Sequence, residues 1–434
     1  MVLMEAQMAA VYPIGPVYNQ VTNSLKPRCF AALKRIFEIY ARDNDYVLSN
    51  EGLIHIYYRC FNIPLMPFQS RGLIESIQEQ CPEGVKENGL TLDGFLVLIV
   101  TMLIKQGKLK TLWTMLRTFG YNKDLRLADE MIPYSSLKRK PDQTVELTDE
   151  AIGSLRRTYN RFDNLGPQMM ESLFETAPER PWNEAPYKYA VEKTSNGGLS
   201  LEAFLSLWSL MTLLDPARSL EYFIYICHPD DPSSAVHVTR RRELDRKEKN
   251  SERKVVQCFV FGPKNAGKSA LLNGFIGRPY DDDNRNVLAD ERYAVNMVGN
   301  SGLTGDAKKT LVMKEIPYQE DGLWLTNEAL ASCDVAIFVY DSSDEFSWKR
   351  SIDLLAEVST ISKDAGLEFP CLMVAAKMDL DSFPMAIQES TRATQGIGIE
   401  TPIPISSKLG EFDNLFRKIL TAAEHPHLCV TKKD

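Results

Sequence analysis

No apolar run in this 434-residue chain approaches the roughly 18 residues needed to cross a bilayer. The longest, Phe95 to Ile104, is about half that length and reads as a buried helix. Cysteines at metal-ligand spacing are missing too. The eight cysteines are scattered at positions 29, 60, 81, 227, 258, 333, 371 and 429, with no C-x-x-C pair. That pattern indicates neither a disulfide framework nor a zinc site, and it fits a reducing compartment. Histidine is scarce: there are five, none at ligand spacing, and His425-Pro426-His427 reads as part of a solvated tail. Positive charge is not in excess, and a net charge of −8 gives no reason to expect nucleic-acid binding. Met1 to Ala10 carries Glu5 and no base, so it makes a poor signal or transit peptide. What is present, 44% hydrophobic and 25% charged residues, suits a soluble globular protein with full cores. The length suggests roughly two to four domains.

The chain is organised around Val255 to Ser269. A β-prone apolar run ends at Gly262, the pattern G-x-x-x-x-G-K-S follows, and a helical run (Ala270, Leu271, Leu272, Phe275, Ile276) comes next. Strand, loop and helix are the context a phosphate-binding loop requires. Gly262 and Gly267 let the backbone wrap closely around an anion. The amides from Asn265 and Ala266 through Ala270 are then expected to point at phosphate oxygens. Lys268 would place its charge on the β- and γ-phosphates, and the Ser269 hydroxyl would ligate magnesium.

Ahead of that loop the pattern is helical and repeats. Phe30, Leu33, Ile36, Phe37 and Tyr40 share a face, an acidic loop with Asp43 and Asp45 follows, and Leu53, Ile56, Tyr57 and Cys60 make a second face. This is the outline of an EF-hand. Aligned on Asp43 and Asp45, the first ligand position falls on Ala41, the turn glycine on Tyr46 and the bidentate glutamate on Gly52, a poor calcium cage. Gly89 to Leu96 (GLTLDGFL) reads as a β-step into a helix that could pair with Val47 to Ser49, leaving Asp93 a capping or loop acid rather than a ligand. Trp113, Leu116 and Phe119 continue an apolar face. Further on, Ala151, Leu155, Tyr159 and Phe162 form a helical face, and Gly198 to Leu205 (GLSLEAFL) mirrors the earlier string, an internal repeat. The second loop keeps one acid, Asp163. The expected division is a tail at 1–25, a first paired EF-hand module at 26–132 and a linker at 133–147. A second degenerate module at 148–235, a charged linker at 236–253, a nucleotide domain at 254–425 and a tail at 426–434 follow. In Thr239 to Lys254 acids interleave bases, which favours a solvated linker helix over a basic patch for acidic lipid or a partner.

After the phosphate loop, strand-like runs at 310–316, 335–340, 371–375 and 403–405 alternate with helical stretches at 325–331, 348–361, 385–394 and 412–422. This is βαβ order, with ligands expected at the carboxyl ends of the strands. Val374-Ala375-Ala376-Lys377-Met378-Asp379 is similar to the guanine-reading motif of GTPases, Asn-Lys-x-Asp, with Ala376 in place of the asparagine. The carboxylate of Asp379 can accept both the ring N–H and the exocyclic amine of guanine, and adenine cannot satisfy it. The Lys377 stem can lie along the base. Ser406-Ser407-Lys408 stands where GTPases carry Ser-Ala-Lys. Glu315 takes the acid position of Asp-x-x-Gly, Tyr318 takes its glycine, and Gln319 falls near the position of the water-orienting glutamine. Slow or partner-dependent hydrolysis is expected.

Paired EF-hand modules ahead of a C-terminal GTPase domain, with the strings FVFGPKNAGKSALL, YDSSD, VAAKMD and SSKLGE, resemble plant members of the mitochondrial Rho GTPase (Miro) family over nearly the whole chain. The resemblance implies a multi-domain chain, two α-helical paired EF-hand modules followed by an α/β P-loop, Ras-like GTPase domain. It implies GTP or GDP with Mg2+, with Ca2+ at Asp43 and Asp45 put in question by the altered loop. It further implies protein partners such as motor adaptors or organelle-shape factors, and a place on the cytosolic face of the mitochondrial outer membrane. Family members also carry an N-terminal GTPase domain and a C-terminal membrane anchor. The sequence here reads as lacking both, and as cytosolic if complete without an anchor. Three functions follow as expectations: a slowly hydrolysing GTP switch, a non-catalytic adaptor that keeps these modules as folds for docking, or a calcium sensor, which the altered loops disfavour.

Overall fold

The computed structural model describes residues 11–41, 46–87, 89–133, 137–161, 166–227, 229, 231–280, 292–299, 308–318, 325–367, 369–383, 400–412 and 414–425. The chain divides into two compact units: Met1–Pro133 with Glu171–Arg180 and Glu221–Pro232, and Tyr134–Met170 with Pro181–Leu220 and Ser233–Asp434.

In the first unit the helix Pro27–Ala41 buries Cys29, Leu33, Ile36 and Phe37, as the three- and four-residue spacing dictates. The helix Asn50–Phe61 starts where the Ser49 hydroxyl accepts a hydrogen bond from the Gly52 amide at 3.0 Å. Leu48 and Leu90 exchange both backbone hydrogen bonds, at 2.8 and 2.9 Å, the pairing expected between the two loops of an EF pair. Gly89 is required there, because a Cβ would lie 2.7 Å from the Leu48 oxygen. Thr91 then caps the helix Leu92–Ile99, with Asp93 in its first turn, and Phe37 meets Phe95 at 5.8 Å. Trp113, Leu116 and Phe119 are all buried. The stretch 148–235 does not group as one module. Its pieces 171–180 and 221–232 belong to the first unit, where Phe174 packs edge-on against Tyr222 and the Tyr225 hydroxyl accepts from the Leu127 amide at 3.1 Å. Asp43, Asp45 and Asp163 lie outside the described residues.

In the second unit Ser200 caps the helix Leu201–Leu214 by the same hydroxyl-to-amide contact that Thr91 makes, so the two repeated strings build the same local structure. Both stretches expected as linkers contain regular structure. Strand Val145–Leu147 pairs antiparallel with Val236–Val238, and a helix spans Arg242–Glu248. The charged stretch is not solvated throughout: Lys247 and Glu248 are exposed, but Arg242 and Arg253 are only 2% and 4% exposed. Arg242 donates to both oxygens of Asp334, at 2.7 and 3.0 Å, and Arg253 pairs with Asp245 at 3.1 Å. The partner Asp334 is remote in sequence, so charge interleaving alone could not separate buried pairs from solvated ones.

From residue 255 onward the described residues form a six-stranded sheet: β1 (Val255–Phe261), β2 (Arg292–Gly299), β3 (Lys308–Glu315), β4 (Val335–Asp341), β5 (Cys371–Ala376) and β6 (Ile403–Pro404), in the order β6-β5-β4-β1-β3-β2. Only β2 runs antiparallel, against β3; the other pairings are parallel. β1 sits centrally and is buried along its length, as a continuous apolar run in a doubly covered sheet must be. Its alternate residues feed two cores. Val256, Cys258 and Val260 pack with Leu271, Leu272 and Phe275 of the helix Lys268–Phe275 and with Leu415 and Ile419 of the helix Leu415–Glu424. Phe259 and Phe261 pack with Leu354, Leu355 and Val358 of the helix Glu345–Asp364. Strand β2 was not among the sequence expectations, and the helix expected at 385–394 lies outside the described residues.

Candidate functional site

The carboxyl ends of β1, β3, β4 and β5 converge on the loop Gly262–Gly267. Gly262 has φ +152°, and a Cβ there would fall 2.3 Å from the Val339 oxygen, so the loop runs against the backbone of β4 in a way only glycine permits. Gly267 (φ +100°) ends the loop and is the N-cap of the helix Lys268–Phe275. The first-turn amides of that helix, at Lys268 to Ala270, have no intrahelical acceptor. Asn265, exposed, sits in the left-handed region at φ +64°, and Ala266 is fully buried beneath the loop.

Lys268 is 6% exposed, and its ammonium donates to the Gly262 and Pro263 oxygens, each at 2.9 Å. Burial pulls its pKa below the usual lysine range, which the nearby Glu315 carboxylate partly offsets. The Ser269 hydroxyl lies 3.0 and 2.9 Å from the two oxygens of Glu315 at the end of β3. A hydroxyl beside a carboxylate is the hard-oxygen set that magnesium takes, and the residues present fit that ion.

The two motifs expected to read a base meet from two strands. Asp379 accepts a hydrogen bond from the buried Ser406 hydroxyl at 2.7 Å, and the Met378 amide donates to the Ile405 oxygen at 3.1 Å. Ser407 and Lys408 continue into a turn closed by reciprocal Ser406–Glu411 backbone bonds of 2.8 and 2.9 Å. Lys377 adopts φ +60°, and its ammonium pairs with Asp341 Oδ2 at 2.5 Å. Burial alone would push the Asp341 carboxyl up, but hydrogen bonds from Lys377 and Ser343 hold it below the usual aspartate range. Nothing in residue spacing flagged Asp341 as part of this site. The string YDSSD pointed to it only as a likeness. At the other end, the Tyr318 hydroxyl in the glycine position accepts from Arg350 Nε at 3.0 Å. Gln319 lies outside the described residues. Among the described residues, no cluster of three or more metal-ligating side chains occurs, and no helix is long and apolar enough to cross a membrane.

Residues 257–423 match the Ras family, and 63–151 and 182–250 match two EF-hand-associated families. The chain is 63% identical to mitochondrial Rho GTPase 3 of Arabidopsis thaliana over 98% of its length, and 57% identical to mitochondrial Rho GTPase 1 of that plant over 99%. It is 28% identical to a mitochondrial Rho GTPase 1 of Cryptococcus neoformans over 97% of its length. It spans about two thirds of each of these relatives, 67%, 66% and 67% respectively. With EF-hand-type modules ahead of a Ras-like domain, and with likeness of this extent, the chain belongs to the mitochondrial Rho GTPase family.

Proposed function

We propose that this chain binds GTP and GDP through the loop Gly262–Ser269 and the pair Asp379–Ser406, and that it hydrolyses GTP slowly as a switch. The observation that carries this reading is the 2.7 Å contact between Ser406 and Asp379, two residues from motifs far apart in sequence. Ser406 fixes a carboxylate that two donors on guanine, N1–H and the exocyclic amine, can share. Gly262, Asn265, Ala266, Gly267 and Ala270 line the phosphate cradle with backbone, Lys268 supplies its charge, and Lys377, Ser407 and Lys408 border the base. Ser269, beside Glu315, would hold Mg2+. Magnesium, when bound, neutralises charge on the β- and γ-phosphate oxygens. Slow turnover is expected from Tyr318, whose side chain, tied to Arg350, stands at a position where glycine would let the backbone amide close on the γ-phosphate. Family membership supports a role in mitochondrial positioning and morphology, with protein partners such as motor adaptors, at the cytosolic face of the outer membrane.

Titration of the chain with fluorescent GTP and ATP analogues tests this directly. Preference for GTP with Mg2+-dependent turnover is expected. Binding without turnover would favour the adaptor reading, and absence of binding would remove the proposal. Asp379→Asn adds a sharper arm. Asparagine offers the base one donor and one acceptor, which suits the 2-oxo group of xanthine and mismatches the amine of guanine. The ratio of GTP to XTP affinity is expected to fall by ~100-fold or more. An unchanged ratio would mean that Asp379 does not face the base.

A further inference from the structure

Strands β4 and β5 end level with each other: Asp341, the last residue of β4, is the register partner of Ala376, the last of β5. The next residue, Lys377, holds φ +60°, a conformation a non-glycine residue keeps only where its surroundings over-determine it. Here the surroundings are the segment Asp341–Ser343. Asp341 Oδ2 takes the Lys377 ammonium at 2.5 Å, while Oδ1 is fixed by the Ser343 amide at 2.9 Å and its hydroxyl at 2.6 Å. The Ser342 amide donates to the Ala376 oxygen at 2.9 Å, and its hydroxyl donates to the Lys377 oxygen at 3.2 Å. The Phe383 amide, on the far side of the same turn, donates to the Ser342 oxygen at 3.1 Å. The turn that carries Asp379 is therefore gripped at both ends by residues 341–343.

Ala376 itself offers no polar group. Its methyl lies under the phosphate loop, 3.4 Å from where a Cβ on Gly267 would sit. The motif has an alanine where a polar side chain could tie this turn in place, and the tie comes from the neighbouring strand instead. The ion pair is suited to that task. Asp341 is largely buried at 13% side-chain exposure and already oriented by Ser343, so the ammonium meets a fixed carboxylate rather than a mobile surface one.

We propose that Asp341 is a positioning residue for base selection: anchored by Ser343, it clamps Lys377 and so holds the Lys377–Asp379 turn in the shape that presents the Asp379 carboxylate to the base. This rests on the reading of the cleft as a guanine site. It assigns to β4 a part in specificity that the base-reading motif on β5 and the Ser406–Lys408 motif do not contain.

The test compares GTP with ITP, which lacks the exocyclic amine that Asp379 would read, in the wild type and in Asp341→Asn. The wild type is expected to prefer GTP by ~10-fold or more. Asp341→Asn is expected to weaken GTP about tenfold and ITP by less than about threefold, so that the preference collapses. Ser343→Ala, which removes the hydroxyl half of the anchor and leaves the amide bond, is expected to move the ratio the same way by less. In a Lys377→Met background, Asp341→Asn is expected to cause no further loss of preference. Equal weakening of GTP and ITP, or an unchanged ratio in both Asp341→Asn and Ser343→Ala, would overturn the inference. If Asp341→Asn does not fold, Ser343→Ala and Lys377→Met decide by the same ratio. A wild type that does not distinguish GTP from ITP would instead remove the guanine reading, and this inference with it.

Discussion

Lys268→Ala is expected to raise the dissociation constant for a fluorescent GTP analogue by ~100-fold or more, with the fold retained. An ammonium about 4 Å from a unit negative charge contributes roughly 4 kcal/mol at an effective dielectric near 20, and about 1.4 kcal/mol is tenfold in affinity. Lys268 is set for this by its surroundings. Two of its protons are spent on the Gly262 and Pro263 oxygens, which fixes the head at the centre of the loop, and burial excludes the water that would screen it. Burial also lowers its pKa, so an arriving polyanion favours the charged form and removes part of that strain. Circular dichroism and thermal unfolding check the fold. Affinity within about threefold of wild type would mean that Lys268 is only a bracket for its own loop, and the phosphate cradle would have to be sought elsewhere.

The second large effect is on stability. Asp334→Ala is expected to destabilise the second unit by about 3–5 kcal/mol in urea unfolding, because it strands buried arginine charge. Asp334 accepts two hydrogen bonds from Arg242 and one from the Gln257 amide at 2.8 Å, and Arg253 stands 3.7 Å away. Burial pushes the Asp334 carboxyl up, but Arg242 and Arg253 outweigh it and hold its pKa below the ordinary 3.8. The sign of the pH dependence follows. A carboxyl whose folded pKa is depressed contributes stability that is fully present above its unfolded pKa, and that contribution is lost as pH falls through the folded value. The wild type should therefore lose stability on acidification below about pH 4 more steeply than Asp334→Ala. Arg240→Ala, at an exposed pair with Glu248, serves as the contrast and is expected to change little. If the two variants unfold alike, the Arg242–Asp334 contact contributes no more than a surface pair.

Local chemistry in the chain determined much of this protein. Gly262 and Gly267 punctuated a β-prone run and a helical one, and that alone specified a strand, a tight loop and a helix. The repeated strings GLTLDGFL and GLSLEAFL specified that two helices begin alike, although the residues that cap them are Thr91 and Ser200, with Asp93 inside the first turn. Alternation after Ser269 specified a largely parallel sheet. These features depend on residues a few positions apart, so they can be read along one dimension.

Tertiary structure decided what depends on partners far away in the chain. Whether Arg242 is a solvated charge or a buried one turned on Asp334, and whether 145–147 is linker or strand turned on 236–238. What holds Lys377 turned on Asp341, a residue on a neighbouring strand with no spacing rule to connect the two. A charge or a β-prone triplet carries no record of its partner; only the packed sheet brings the two within reach, and burial then sets how strongly they act on each other.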